Sequence, residues 1–452
     1  MVMCEVTGES THEVRNARPI RVIGLDGAMA IARELARRPE MRTTHVGFVG
    51  YGRTSLGQKV LIAVDREYDP AVPETIAAAL REQGAKVDIL YTDLGQPEQE
   101  FGELDEIEVS IRREPWERNP RRWEGLPFVE EFAARRGYDL LIHGKGGPIP
   151  KTDFRYEAIP WLRLEHFLQP ATVFPLDLHL QINEKVWQVI WKKGRGGRAR
   201  LTDPEGTDLT WTYWEEYFDQ TRYGFEETPR YGHLFAHPTP PLLSKADARG
   251  VVAGTTSHFG RPFPRIRLEV EDGQVVRIEG GGGYGRAWEQ LREETRHIHY
   301  PVYPRPGLFF LWEVAIGTNP KIRRPSNVHQ HGSGGFEWER RRSGIIHLGF
   351  GTTWRGPEER WAAERGIVYG HLHVHLLFPT LVVYDKRGYE YPLIRDGRLL
   401  ALDDPGIRGL AAKFGDPDEL LREDWIPRVP GINAPGSYDD YAKDPASWLY
   451  AR

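Results

Sequence analysis

Cysteine is almost absent from this 452-residue chain, which contains only Cys4. A single thiol excludes an internal disulfide and any zinc site built from several cysteines. The sequence has no apolar run that approaches the ~20 residues needed to cross a bilayer. It also lacks the basic-then-apolar start of a signal peptide. We therefore expect a cytoplasmic protein that does not enter membranes.

A large excess of charge of one sign is also lacking. The formal net charge is -5 and the sequence pI is near 6.4, so no basic field favours nucleic acid as a partner. The 14 Trp, 19 Tyr and 18 Phe argue against disorder. Because 452 residues exceed what one hydrophobic core usually serves, more than one domain is expected.

Residues 59–93 have the pattern of a β-α-β unit. The segment KVLIAVDREYDPAVPETIAAALREQGAKVDILYTD contains an apolar strand, an Asp- and Pro-rich connection, an amphipathic helix and a second strand. Ile76, Ala79 and Leu80 have the spacing of an inward-facing helix surface. Such units build parallel sheets, so the first domain is predicted to be α/β.

A further apolar strand, YDLLIHGKGG at residues 138–147, ends in glycines. It places His143 and Lys145 at the carboxyl end of the strand, where parallel sheets usually bind ligands. A Gly-rich turn with two exposed polar residues explains the same pattern. The spacing matches no phosphate-binding loop.

Short strands predominate from about residue 196. The segment LEVEDGQVVRIEGG at 268–281 predicts a hairpin with Asp272-Gly273 at its turn, and AWEQLREETRHI at 287–298 predicts a helix. Three segments are predicted. Residues 1–195 form an α/β domain with a parallel sheet, of which the first ~20 residues are frayed. Residues 196–405 form a β-rich α+β domain that binds metal, and residues 406–452 form a helical or irregular tail.

Four residues with metal-binding side chains lie inside apolar strands of the second domain: Glu313, His347, His371 and His373. Burying such a polar group without a partner costs roughly 1–3 kcal/mol, and more for a charged carboxylate. One shared divalent metal would satisfy all four. Three imidazoles and one carboxylate suit Zn, Mn, Fe or Ni, and two imidazoles with the carboxylate form the facial set of non-haem iron oxygenases.

Three further histidines have weaker patterns. His375 continues the face of His371 and His373, because side chains two apart in a strand share a face. We interpret it as a residue that supports a ligand or lies on the surface. His329 and His331 lie in a Gly- and Ser-rich segment, which is typical of an active-site loop and equally of a surface loop.

Over roughly residues 55–395 the chain resembles the metallopeptidases of the aminopeptidase T and aminopeptidase S type. The resemblance rests on four segments in this order: LTDPEGTDLTW, EVAIGTNP, SGIIHLGFG and HLHV. That resemblance implies two metals held by two Glu, two His and an Asp, with a Tyr assisting at the site. It maps Glu313, His347 and His371 onto one Glu and the two His.

Three positions depart from the family pattern. His373 stands where the Asp is expected, Gly250-Val251 replaces a Gly-Glu pair, and Trp354 replaces the Tyr. Less negative charge is then available to neutralise two cations, so one metal is expected. The same superfamily includes 2,5-dihydroxypyridine 5,6-dioxygenase, a one-metal relative whose final ligand pair matches His371 and His373.

The resemblance implies first a hydrolase in which a divalent metal, Zn, Mn, Co or Fe, activates water for attack on an amide or peptide bond. Glu337 or Glu339 would act as the base, and Trp354 would assist at the site. A mononuclear Fe(II) dioxygenase that opens an electron-rich ring is the alternative, and a metal-stabilised binding protein is the third reading. The expected partners are a small molecule or short peptide and a second copy of the chain in a homodimer.

Overall fold

The structure is a computed structural model. It describes residues 26–38, 50–52, 54, 56–65, 68–92, 111–112, 127–144, 156–159, 161–216, 233–235, 245–257, 260–324, 340–352 and 357–449. None of the helices within these ranges combines the length and the apolarity that crossing a bilayer requires.

The chain forms seventeen strands within the described residues. In chain order they are β1 (Lys59–Asp65), β2 (Lys86–Thr92), β3 (Ile111–Arg112), β4 (Leu140–Gly144), β5 (Tyr156–Ile159), β6 (Arg198–Asp203), β7 (Thr207–Thr212), β8 (His233–Phe235), β9 (Arg249–Thr256), β10 (Pro262–Glu271), β11 (Gln274–Gly280), β12 (Leu311–Gly317), β13 (Ile346–Gly351), β14 (Tyr369–Leu376), β15 (Thr380–Tyr384), β16 (Glu390–Arg395) and β17 (Arg398–Leu399).

The described helices follow the same order. They are α1 (Asp26–Arg37), α2 (Ala71–Glu82), α3 (Pro127–Arg135), α4 (Leu164–Phe167), α5 (Leu176–Gln188), α6 (Gly282–Thr295), α7 (Pro357–Glu364), α8 (Pro405–Ala411), α9 (Pro417–Leu420), α10 (Tyr438–Lys443) and α11 (Pro445–Leu449). A π-helical turn at Val189–Lys193 extends α5, and 3-10 turns lie at Pro170–Val173 and Leu400–Asp403.

The first part of the chain is α/β, as predicted. Its sheet has four parallel strands in the order β2-β1-β4-β5. Alternate residues of β1 point to opposite faces: Val60 and Ile62 pack with α1 and α2, whereas Leu61 and Ala63 pack with α3. Helices therefore cover both faces, which explains why the strands read as continuous apolar runs.

The second part is β-rich, again as predicted. Its main strands run β17-β16-β15-β6-β7-β9-β14-β13-β12-β8, while β10 pairs with β9 and β11. The β10–β11 hairpin turns at Asp272 and Gly273, both with positive φ, as the Asp-Gly signal predicts. Helix α6 begins at Gly282, five residues before the predicted start, and packs Trp288 into the large apolar core.

The ends of β12 and β13 are held by the C-terminal part of the chain. Lys321, four residues beyond β12, places its Nζ 2.8 Å from Asp424 Oδ1 and donates to the carbonyls of Glu419 and Arg422. The Lys321 and Asp424 side chains are both buried. This ion pair therefore joins the strands that carry the predicted metal ligands to the segment after α9.

We predict that Lys321→Met lowers the free energy of unfolding by about 3–5 kcal/mol, because Asp424 would be left as a buried, uncompensated charge. The matched control is Lys185→Met, which removes an ion pair to Asp404 whose side chains are 48% and 29% exposed. That change should cost less than about 1 kcal/mol. Urea unfolding of both variants measures the difference, and equal midpoints would contradict the prediction.

Candidate metal centre

Three adjacent antiparallel strands build the site. In the pairing of β12 with β13 and of β13 with β14, Glu313 lies opposite Gly349, and Gly349 lies opposite His373. His347 is two residues from Gly349 and therefore points to the same face. The register thus brings one carboxylate and two imidazoles from three strands to one surface of the sheet.

The atoms of these three side chains converge. Glu313 Oε2 lies 3.3 Å from His347 Nε2 and 3.6 Å from His373 Nε2, and the three ligand atoms all lie within 4.8 Å of one another. Within the described ranges, these residues form the group of metal-binding side chains with that spacing. All three side chains are buried.

The donor set fits a divalent metal. Metal bonds to His nitrogen and carboxylate oxygen are about 2.0–2.2 Å long, so ligand atoms that share one ion lie about 3.0–3.4 Å apart, near the separations found here. Two imidazoles and one carboxylate suit zinc and non-haem iron alike. Glu313, His347 and His373 are therefore the residues that could hold the ion.

Both imidazoles are in the form that binds metals. Burial lowers the pKa of His347 well below its usual value, and nearby His373, His375 and Arg340 lower it further. Burial also lowers the pKa of His373 to about 4, although the hydrogen bond and the charge of Glu313 act in the opposite direction. At neutral pH each ring is uncharged, so no proton has to leave before a metal binds.

His375 orients His347. The two residues lie opposite each other on β13 and β14, and His347 Nδ1 is 2.6 Å from His375 Nε2. A hydrogen bond on one ring nitrogen fixes which nitrogen can bind a metal. His375 therefore holds the ring of His347, one of the three candidate ligands, in place.

Because Gly349 has no side chain, the space between Glu313 and His373, two of the candidate ligands, stays open. A Cβ atom at this position would lie 3.0 Å from Glu313 Cβ, 3.2 Å from Glu313 Oε2 and 3.2 Å from His373 Cδ2. Those contacts are short for carbon, so a side chain here would push Glu313 and His373 apart. The sequence offered no reason to choose this glycine.

His371, predicted as a fourth ligand, lies outside the group of three. Its Nε2 is 2.6 Å from Glu359 Oε1, which also accepts a hydrogen bond from Thr352 Oγ1. Its ring centroid lies 6.0 Å from that of His373. Glu359, which is buried on α7, was not among the predicted site residues, because its place beside His371 depends on tertiary packing.

Most of the other predicted site residues cannot be compared with this group. Glu337, Glu339, Trp354, His329, His331 and Lys145 lie outside the described residues. His143 lies near the end of β4 in the parallel sheet. The roles proposed for these residues therefore stay predictions.

No family model and no curated protein matches the chain. Similar solved structures include 2,5-dihydroxypyridine dioxygenase from Pseudomonas putida KT2440, at 13% identity and a TM-score of 0.47, covering 84% of this chain and 98% of that one. They also include wild-type AmpT from Thermus thermophilus, at 15% identity and a TM-score of 0.46, covering 83% and 100%. These are the two kinds of protein that the sequence motifs resemble.

We predict that Gly349→Ala weakens metal binding about 10- to 100-fold, the usual effect of disturbing the surroundings of a ligand. Gly409→Ala is the control, because a Cβ atom there meets nothing within 4 Å. Calorimetric titration of both metal-free variants with Zn²⁺ measures the change. Wild-type affinity in Gly349→Ala would show that Glu313 and His373 do not share an ion.

Proposed function

We propose that the protein is an enzyme with one divalent metal ion bound by Glu313, His347 and His373. The observation that carries this proposal is the convergence of Glu313 Oε2 with the two Nε2 atoms on one buried surface. A structural zinc site is closed by four protein ligands. Three ligands leave coordination positions for a substrate, which favours catalysis over a metal-stabilised binding protein.

The negative charge available at this site fits one metal ion rather than the two metal ions implied by the aminopeptidase resemblance. Among the described residues the group holds a single carboxylate, Glu313, and both imidazoles are neutral. Two divalent cations side by side would repel each other with little negative charge between them. The side chain that could have added a ligand, His371, instead places its Nε2 2.6 Å from Glu359 Oε1.

We favour a mononuclear non-haem iron(II) oxygenase that opens an electron-rich ring. Two His and one carboxylate with open positions are the ligand set of that enzyme class. Bound iron(II) would supply the chemistry with dioxygen that no side chain provides. Glu313 would neutralise part of the charge of the ion, while His375 would hold the His347 ring in place.

Metal-dependent hydrolysis of an amide or peptide bond is the second candidate, and the His371–Glu359 pair favours it. A hydrolase needs a group near the metal that holds the proton of the attacking water. Glu359 Oε1 fixes one ring nitrogen of His371 at 2.6 Å, and that ring lies beside His373. In this scheme the metal would lower the pKa of its bound water towards ~7, and the substrate would be a short peptide.

Both candidates act on a small molecule, and we propose a small-molecule substrate for this site. The homodimer implied by the resemblance and the cytoplasmic location expected from the sequence stay predictions. They do not affect the assignment of Glu313, His347 and His373.

The test is anaerobic purification followed by elemental analysis and reconstitution of the chelated protein with Fe²⁺, Zn²⁺, Mn²⁺ or Co²⁺. We expect about one iron per chain. Dihydroxylated aromatic rings should cause oxygen uptake only in the iron-loaded form, with the chelated protein as the control. Peptide hydrolysis by the zinc- or cobalt-loaded protein without oxygen uptake would favour the hydrolase. A ratio of two metals per chain would contradict the one-metal proposal.

A further inference from the structure

Strand β12 contains one extra residue beside the metal centre. Leu311 lies opposite Phe350, and Glu313 lies opposite the preceding residue, Gly349. Between these two pairs, β12 advances by two residues while β13 advances by one. Trp312 is therefore the inserted residue. Such irregularities re-aim side chains, and they are frequent next to active sites.

The irregularity places Trp312 against the histidines. In a regular strand Trp312 would point away from Glu313, because neighbouring residues alternate. Instead its ring centroid lies 5.7 Å from that of His371 and 6.1 Å from that of His373. The indole therefore packs beside the ligand group as part of the wall of the site.

The indole N–H of Trp312 is buried and has no hydrogen-bond partner among the described residues. A buried donor without an acceptor costs about 1–3 kcal/mol, and tryptophan usually finds an acceptor when it is buried. An acceptor supplied by a ligand would satisfy the Trp312 N–H.

Trp288 provides a comparison. Its indole N–H is also buried without a partner, but the ring lies in the aromatic core, in edge contacts with Tyr284 and Phe309. The Trp312 ring differs in its surroundings, because it lies beside the imidazoles of His371 and His373. A missing acceptor at that position is one that a ligand at the metal centre could supply.

We propose that Trp312 is a specificity-determining residue whose N–H donates a hydrogen bond to an anionic oxygen of the substrate, such as a phenolate, an enolate or a carboxylate. This rests on the proposed metal centre, because that oxygen belongs to a molecule held at the open positions of the ion. A divalent cation and an N–H donor both favour negative charge on oxygen. The flat indole would at the same time cover one side of a planar substrate.

The experiment compares wild type, Trp312→Phe and Trp288→Phe, each loaded with Co²⁺ after chelation. Phenylalanine keeps an aromatic ring and removes the N–H. The probe is 4-nitrocatechol, whose visible absorption shifts when its oxygens bind a metal. All three proteins should bind Co²⁺ alike, and the Kd for the probe should rise about tenfold in Trp312→Phe only.

The outcomes separate the two proposals. Equal Kd values for Trp312→Phe and wild type, with Co²⁺ bound in both, would overturn the role of Trp312 and leave the metal centre standing. An equal rise in Trp288→Phe would also overturn it. Failure of the wild type to bind Co²⁺ would overturn the proposed function, and the role of Trp312 with it.

A measurement on the wild-type protein covers the case in which Trp312→Phe does not fold. In zinc-loaded protein with ¹⁵N-labelled tryptophan, 4-nitrocatechol should move one of the 14 indole N–H resonances downfield, as expected for a new hydrogen bond. If no indole resonance moves while the probe is bound, the proposal is wrong.

Discussion

The buried carboxylate of Glu313 is the physical constraint that governs the metal centre. A carboxylate inside an apolar strand is tolerated only if positive charge or hydrogen-bond donors surround it. Its neighbours at 3.3 and 3.6 Å are two imidazoles, and burial lowers the pKa of both. Neutral rings do not balance the charge, whereas a divalent ion does. The same burial therefore destabilises the empty site and favours the loaded one.

The surrounding fold serves to hold three strands in one register. A slip of one residue in β13 would turn His347 away from Glu313. The pairing of β14 with β9 on its other side, the His347–His375 hydrogen bond and the Lys321–Asp424 pair beyond β12 all oppose such a slip. The parallel sheet contributes none of the three ligands. All three candidate ligands therefore come from the β-rich part of the chain.

The sequence was sufficient for the β-α-β unit, the Asp-Gly hairpin and a list of four candidate ligands, Glu313, His347, His371 and His373, because each rests on local periodicity or on a polar residue in an apolar strand. It could not choose between His371 and His373, since both share a face and only the cross-strand register places His373 opposite Gly349. Glu359 and the inserted Trp312 depend on tertiary packing and on a local irregularity. Neither leaves a periodic signal.

The metal content of four purified variants tests the three-residue centre: Glu313→Gln, His347→Ala, His373→Ala and His371→Ala. We predict that the first three lose most of the bound metal, whereas His371→Ala retains about the wild-type amount, since the His371 Nε2 faces Glu359. Thermal midpoints close to that of wild-type protein stripped of metal would show that the variants are folded. Loss of metal in His371→Ala, or retention of metal in Glu313→Gln, would contradict the three-residue centre.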